Sequence, residues 1–122
     1  MAEIRVTGFD HLVLAVADVE RSLAWYQDFL GLEGVRVDEW REGKAPFPSV
    51  RVDASTIIDF IPRRDDSDRG SNLDHLCLVV EPADLSSLGD TGPRYGARGV
   101  GTSVYIQDPD GNTVELRHYG TA

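Results

Sequence analysis

The sequence predicts an α+β fold built from two tandem βαβββ modules, and an internal repeat is the main reason. Residues 10–16 read DHLVLAV and residues 74–80 read DHLCLVV, so five of seven positions match at an offset of 64. Both segments are rich in aliphatic and β-branched residues, which is typical of strands, and both run into a helix-start signal. Each half also ends on two strands joined by a turn. Half of the chain is too short to bury a convincing core alone, so we expect residues 1–122 to form a single domain.

Module one is predicted to span about residues 6–62. Asp18 is a good N-cap for the helix after the first strand, and Gly31 is placed to end that helix in the left-handed conformation. The apolar stripe of this helix consists of Val19, Leu23, Tyr26 and Leu30. Three further strands are predicted at 35–40 (VRVDEW), 49–54 (SVRVDA) and 56–62 (TIIDFIP).

Module two is predicted to span about residues 72–119, after a charged linker at about 63–71 that carries no apolar period. It begins with the second copy of the repeated strand. The segments that follow are a short helix over 81–88, a loop or short strand over 92–101 (GPRYGARGVG), a strand at 102–107 (TSVYIQ), the turn DPDGN at 108–112 and a strand at 113–119 (TVELRHY).

Two histidines and two acids occupy matching places in the repeat. Side chains alternate along a strand, so His11 and His75 lie opposite the bulky Leu and Val face that should pack on the helix. Asp59 and Glu115 match on the closing strands at an offset of 56. We therefore expect curved mixed sheets around a concave pocket that holds one divalent metal ion: Zn, Ni, Co, Mn or Fe(II).

Each of these residues has a simpler interpretation when it is taken alone. A strand histidine is more often an ordinary core or surface residue than a ligand, and DPDGN alone is only a good turn. The coincidence across the repeat favours the metal site, because a buried carboxylate without a partner is costly. A shared cation would be a partner for all four groups.

Composition excludes several classes of partner. The formal charge is −9, so the long-range field repels phosphate backbones and anionic membrane surfaces. No apolar run approaches the roughly 20 residues that would span a bilayer, and the start lacks the apolar core of a signal peptide. With one cysteine, no intramolecular disulfide can form. We expect a cytoplasmic protein with a small-molecule substrate and with no nucleic-acid or membrane partner.

Three segments together resemble the vicinal oxygen chelate superfamily, which includes glyoxalase I, bleomycin-resistance proteins and extradiol dioxygenases. They are DHLVLAVADVERSLAWYQDFLGL, NLDHLCLVVE and TSVYIQDPDGNTVELR. The resemblance covers nearly the whole chain and is closest to small, single-domain glyoxalase-like proteins. It implies that His11, His75 and Glu115 are metal ligands. Asp59 falls where glyoxalase I and methylmalonyl-CoA epimerase carry a further ligand, usually Glu or Gln; the shorter Asp leaves direct coordination and a water bridge as alternatives.

The resemblance implies a metal-dependent lyase or isomerase that acts by proton transfer on a small, metal-chelating α-hydroxy or α-keto substrate. Glu115 is the first candidate for the base and Asp59 the second. One alternative is an Fe(II) extradiol-type ring-cleaving dioxygenase, although most of those chains are longer. Another is a non-catalytic protein that binds a drug or other small molecule and confers resistance, for which the full ligand set would be unnecessary.

Other candidates are substrate-binding residues. Arg94 and Arg98 lie in the glycine-rich segment 92–101, which forms either a mobile lid that grips an anionic substrate or, the interpretation we favour, an ordinary flexible loop. Tyr105 either donates a hydrogen bond to the substrate or packs. Cys77 is expected to be a small buried hydrophobe. The sequence leaves open whether the pocket is completed within one chain or between two, and we expect a homodimer.

Overall fold

A computed structural model describes residues 4–64 and 73–120 of the chain. The chain divides into two compact units, Met1–Arg69 and Gly70–Ala122. Each unit contains one four-stranded mixed sheet and few helical turns, which confirms the predicted α+β fold of two tandem modules. Most of the predicted linker lies outside the described residues. No helix within the described residues has the length and apolar character needed to cross a membrane.

The first unit builds its core between the sheet and one helical segment. Its sheet has the order β1-β4-β3-β2, with β1 parallel to β4 and the other neighbours antiparallel. Leu14 and Val16 of the first strand are buried, as the alternation predicted, and the rings of Tyr26 and Phe60 pack with their centroids 5.1 Å apart. The elements are β1 (His11–Val16), α1 (Val19–Ala24), a π-helical turn (Trp25–Phe29), β2 (Glu33–Val35), α2 (Val37–Arg41), β3 (Ser49–Asp53) and β4 (Thr56–Pro62).

The predicted limits of the first helix are confirmed. The side chain of Asp18 accepts a hydrogen bond from the backbone N–H of Arg21 at 3.1 Å, as an N-cap does. After α1 the chain widens into the π-helical turn, where the N–H of Leu30 donates to the carbonyl of Trp25. Gly31 follows with a φ of +72° and ends the helical segment.

The strand predicted at 35–40 is wrong beyond Val35. Arg36 adopts a left-handed φ of 58°, and the next five residues form α2. Arg41, at the end of α2, makes two hydrogen bonds of 3.0 and 2.6 Å to the carboxylate of Glu20 on α1. The alternation in VRVDEW is too short to separate strand from helix, so contacts with the rest of the unit decide the conformation.

The second unit repeats the strand order of the first. Its sheet has the order β5-β8-β7-β6, again with the first and last strands parallel. Val104, Val114 and Leu116 are buried in its core. The elements are β5 (Leu76–Val79), a 3-10 turn (Ser86–Leu88), β6 (Gly92–Gly96), β7 (Gly99–Gln107) and β8 (Thr113–His118).

Two predictions for the second unit need correction. The helix expected over 81–88 is reduced to the 3-10 turn, in which the N–H of Leu88 donates to the carbonyl of Leu85; the side chain of Asp84 accepts a hydrogen bond from the N–H of Ser86 at the start of this turn. For 92–101, the short-strand alternative is correct and the flexible loop is wrong. β6 pairs with β7 in an antiparallel hairpin, in which Arg94 lies opposite Gly101.

Candidate functional site

In the first unit, His11 and Asp59 come together from neighbouring strands. His11 begins β1, and Asp59 lies in the middle of β4, the parallel strand beside it. Val13 is the register partner of Asp59, so His11 lies two residues earlier on the same face and meets the carboxylate diagonally. The Nε2 atom of His11 is 3.8 Å from Oδ2 of Asp59, whose residue is only 4% exposed. This unit therefore supplies one imidazole beside one buried carboxylate.

The second unit repeats this pair with His75 and Glu115. Cys77 on β5 is the register partner of Glu115 on β8, so His75 again lies two residues before the paired position. The Nε2 atom of His75 is 3.1 Å from Oε1 of Glu115, which is 3% exposed. The shorter distance fits the additional methylene of glutamate. Cys77 itself is exposed, and the expectation that it would be buried is wrong.

An aspartate precedes each histidine and holds its other ring nitrogen. Nδ1 of His11 lies 2.7 Å from Oδ2 of Asp10, and Nδ1 of His75 lies 2.7 Å from Oδ2 of Asp74. A proton on Nδ1 that is donated to the aspartate leaves the Nε2 lone pair available. The hydrogen bond to Asp10 raises the pKa of His11; burial opposes this rise, and the charges of Asp59 and Asp10 add to it.

A serine hydroxyl holds the far oxygen of each carboxylate. Ser49 donates to Oδ1 of Asp59 at 2.6 Å, and Ser103 donates to Oε2 of Glu115 at 2.6 Å. The two serines are not equivalent positions, because Ser49 lies directly opposite Asp59, whereas Ser103 lies opposite Arg117. Sequence reasoning missed both serines, and comparison of the two repeats could not have found them because their registers differ.

Arg117 is the other functional residue that sequence reasoning missed. It is 3% exposed, and its Nη2 lies 2.7 Å from Oε2 of Glu115. Burial raises the pKa of Glu115, but the hydrogen bonds from Ser103 and Arg117 and the charges of Arg117 and His75 lower it further, so the pKa lies below its ordinary value. Side chains alternate along a strand, so the spacing of two residues puts Arg117 on the same face of β8 as Glu115, and this was the available signal.

The two arginines that were candidates for substrate binding contact different aromatic rings. The guanidinium of Arg94 lies over the ring of Tyr105, 5.8 Å from its centroid, and the edge of that ring meets His75 with 5.7 Å between centroids. Arg98 instead lies over Tyr119, 5.3 Å from the ring centroid. Tyr105 and Arg94 therefore extend from the imidazole of the second unit, and Arg98 is held by a different ring.

Each unit offers a divalent cation one imidazole nitrogen and one carboxylate oxygen. This donor chemistry suits Zn, Ni, Co, Mn or Fe(II). In the described parts of the chain, no group of three or more His, Cys, Asp or Glu side chains could hold a metal ion.

Comparison with known proteins agrees with the resemblance found in the sequence. The family model described as "Glyoxalase/Bleomycin resistance protein/Dioxygenase superfamily" matches residues 8–84. The virulence protein STM3117 of Salmonella typhimurium is 29% identical over 126 residues, covering 93% of this chain and 85% of that protein. A probable lactoylglutathione lyase of Synechocystis is 27% identical over 119 residues, covering 87% of this chain and 91% of that protein.

The crystal structure of STM3117 also resembles this chain. The two superpose with a TM-score of 0.72 at 22% sequence identity, over 96% of this chain and 100% of the other. At that identity the likeness establishes the fold.

Proposed function

This chain belongs to the Glyoxalase/Bleomycin resistance protein/Dioxygenase superfamily, and from that premise we propose that it is a metal-dependent enzyme of the glyoxalase kind. Its reaction would be that of a lyase or isomerase, a proton transfer on a small α-hydroxy or α-keto compound that chelates the metal. The observation that carries this proposal is the recurrence in both units of a histidine facing a buried carboxylate, with an aspartate behind the imidazole.

His11, His75, Glu115 and Asp59 would hold the metal. Their chemistry fits a divalent cation, because each imidazole keeps Nε2 available and each carboxylate keeps one oxygen on the histidine side. A bound cation supplies Lewis-acid stabilisation of negative charge that develops on the substrate oxygens.

Asp59 is the better candidate for the base and Glu115 for the fixed ligand, which reverses their order from the sequence. Oε2 of Glu115 accepts hydrogen bonds from a hydroxyl and from the cationic Arg117, and the lowered pKa makes this carboxylate a weaker base. Asp59 accepts one bond from Ser49, and its Oδ2 is too far from His11 for a hydrogen bond. In the isomerisation of an α-hydroxy carbonyl compound, Oδ2 would take a proton from the hydroxyl-bearing carbon and return it to the carbonyl carbon, while the hydroxyl proton passes to the former carbonyl oxygen.

Tyr105 and Arg94 are proposed to contact the substrate. The Tyr105 ring lies edge-on to His75, so its hydroxyl is a candidate donor to a substrate oxygen. Arg94 lies beyond that ring, where an arginine can recognise a carboxylate or phosphate through two parallel hydrogen bonds. Arg98, stacked on Tyr119, is a weaker candidate.

Metal analysis of protein purified without chelator tests the proposal. We expect stoichiometric Ni, Zn, Co or Mn, and each of His11→Ala, His75→Ala and Glu115→Ala should weaken metal binding because each removes one ligand. Asp59→Ala should cost less affinity than Glu115→Ala if Asp59 acts through water. An equal loss would make Asp59 a direct ligand.

The third histidine provides the matched control for this experiment. Nδ1 of His118 lies 2.8 Å from the carbonyl of Gly120, so His118→Gln should leave the metal content unchanged. Wild-type metal content in all three ligand variants would show that the site is assigned wrongly. Iron together with oxygen uptake on catechols would favour the dioxygenase, and absence of metal at every pH would favour a binding protein.

The variant Asp59→Asn tests the role of Asp59 as the base separately from its role in holding the metal. The amide keeps the size of the side chain but cannot accept the proton, so turnover should fall by about 10²–10⁴-fold while metal is retained. The compounds assayed should include lactoylglutathione, because the Synechocystis relative is named a probable lactoylglutathione lyase. The exposed Asp28→Asn is the control for loss of a negative charge. Unchanged turnover in Asp59→Asn would remove Asp59 from the proton step.

A further inference from the structure

Arg117 is a buried cation whose hydrogen bonds converge on one carboxylate oxygen and two backbone carbonyls. Nη2 lies 2.7 Å from Oε2 of Glu115 and also donates to the carbonyl of Tyr95 at 2.9 Å. Nη1 donates to the carbonyl of Arg94 at 2.9 Å. The guanidinium also lies over the ring of Tyr119, 5.5 Å from its centroid. These contacts come from β6, from β8 and from the residue after β8, so the guanidinium is fixed from several sides.

Two glycines provide the space through which this side chain runs. A Cβ atom at Gly101 on β7 would lie 3.0 Å from Cγ of Arg117, and one at Gly96 on β6 would lie 2.7 Å from Cζ. Any larger residue at these positions would displace the arginine. The glycines of the hairpin thus allow a side chain from β8 to cross β7 and reach the edge strand.

We propose that Arg117 is a positioning residue that restricts Glu115 to binding a divalent cation through Oε1 alone. The inference rests on the proposed metal-dependent function and adds to it the way in which one ligand is oriented. Oε2 already accepts from Ser103 and Arg117, and Oε1 is the oxygen that faces Nε2 of His75 at 3.1 Å. A cation shared with His75 therefore meets one carboxylate oxygen.

The first unit has a serine in the same role, but its carboxylate makes no hydrogen bond to an arginine among the described residues. Ser49 donates to Asp59 as Ser103 donates to Glu115, and Arg36 donates to the hydroxyl of Ser49 at 3.3 Å. A planar guanidinium can bridge the carboxylate and the two carbonyls at once, which the single ammonium group of lysine does less well. The specific effect of Arg117 is thus geometric as well as electrostatic.

Titration of chelator-treated protein with Co²⁺ tests the proposal, because the two roles of Arg117 predict opposite changes in Co²⁺ affinity for Arg117→Met. If Arg117 positions Glu115, Arg117→Met and Arg117→Lys should both bind Co²⁺ more weakly, and Arg117→Met by about 10–100-fold, as is typical when a residue behind a metal ligand is removed. If Arg117 acted only as a nearby positive charge, Arg117→Met would bind Co²⁺ more tightly and Arg117→Lys would equal the wild type. The d–d absorption provides a second measurement, because binding through both oxygens raises the coordination number and weakens those bands.

Three controls keep the outcomes distinct. Arg41→Met removes a charge from an exposed ion pair and should change neither affinity nor spectrum. If Arg117→Met does not fold, Gly96→Ala displaces the guanidinium with the charge retained, and should likewise weaken Co²⁺ binding; Gly8→Ala, where an added Cβ meets open space, is its control. Wild-type protein that binds no Co²⁺ would overturn the proposed function and this inference with it. If the wild type binds Co²⁺ and both Arg117 variants bind it with unchanged or higher affinity, the inference alone is overturned. The same holds for unchanged or higher affinity in Gly96→Ala, when that variant replaces Arg117→Met.

Discussion

Glu115 and Asp59 are both buried carboxylates beside a histidine, yet their surroundings differ in charge. Glu115 accepts a hydrogen bond from the cationic Arg117, whereas the hydrogen bond that Asp59 accepts comes from the neutral hydroxyl of Ser49. Burial favours the neutral form of a carboxyl group, so an ionised Glu115 needs the hydrogen bonds and the charge that Arg117 brings. Removal of one partner from a buried ion pair typically costs about 3–5 kcal/mol, because it leaves the other charge uncompensated. Arg117 therefore contributes to both the stability and the ionisation of the candidate ligand.

The metal-free protein should lose stability in acid through Glu115. Its folded-state pKa lies below the ordinary value of 4.5, so the unfolded chain takes up the proton more readily. The stabilisation is fully present above pH 4.5 and is lost as the pH falls through the lower folded-state pKa. We expect the free energy of unfolding, measured with denaturant, to fall more steeply below this pH in the wild type than in Glu115→Gln.

Glu20→Gln is the control for this pH profile. The hydrogen bond and charge of Arg41 also lower the pKa of Glu20, but that pair is about half exposed, so solvent screens it. Glu20→Gln should therefore change the dependence of the free energy of unfolding on pH in acid less than Glu115→Gln does. Parallel profiles for the wild type and Glu115→Gln would show that Glu115 is not the group responsible.

At the scale of elements, the sequence predicted best where a long pattern and a local signal agreed. Asp18 and Gly31 bounded the first helix correctly, and the repeated strands placed both histidines on the face opposite the core. The short segments were less predictable. In 35–40 the alternation covers too few residues, and the segment 81–88 forms no helix beyond a single 3-10 turn.

The parts of the site that the sequence could not predict depend on register. Ser49 and Ser103 hold corresponding carboxylates from positions that differ in register, so no comparison of the two repeats points to them. The side chain of Arg117 can cross β7 because Gly101 has no side chain. The sequence does not show which residue lies beside Gly101, so it does not predict this close approach. The pairing of one histidine with one carboxylate in each unit was predictable because the repeat itself places them; their role as metal ligands stays a prediction.

Gly101→Ala should loosen the pairing of β7 with β8. The added Cβ would lie 2.9 Å from the carbonyl oxygen of His118 and 3.0 Å from Cγ of Arg117, and the backbone oxygen cannot move aside as a flexible side chain can. We expect a loss of about 1–3 kcal/mol in the free energy of unfolding, the usual range for overpacking. Gly8→Ala, with nothing near the added atom, should change stability little. Equal stability of the two variants would contradict this close approach.

At the scale of the whole molecule, the repeat has kept one arrangement and altered its surroundings. Both units retain the parallel first and last strands that bring histidine and carboxylate together diagonally. Among the described residues, a buried arginine contacts the carboxylate in the second unit alone, and a helical segment longer than one turn follows the first strand in the first unit alone. The two histidine–carboxylate pairs therefore have the same strand geometry and different surroundings.

The count of metal ions per chain tests whether the two pairs act together. Each unit offers two ligands, fewer than the three or four protein groups usual in metal sites, so we expect one divalent ion per chain rather than two. Elemental analysis against quantified protein measures this ratio. The double variant His11→Ala, Asp59→Ala leaves the pair of the second unit intact, and the double variant His75→Ala, Glu115→Ala leaves the pair of the first unit intact. Both double variants should lose high-affinity metal binding. A ratio of two, or a double variant that keeps wild-type affinity, would mean that one pair binds metal without the other.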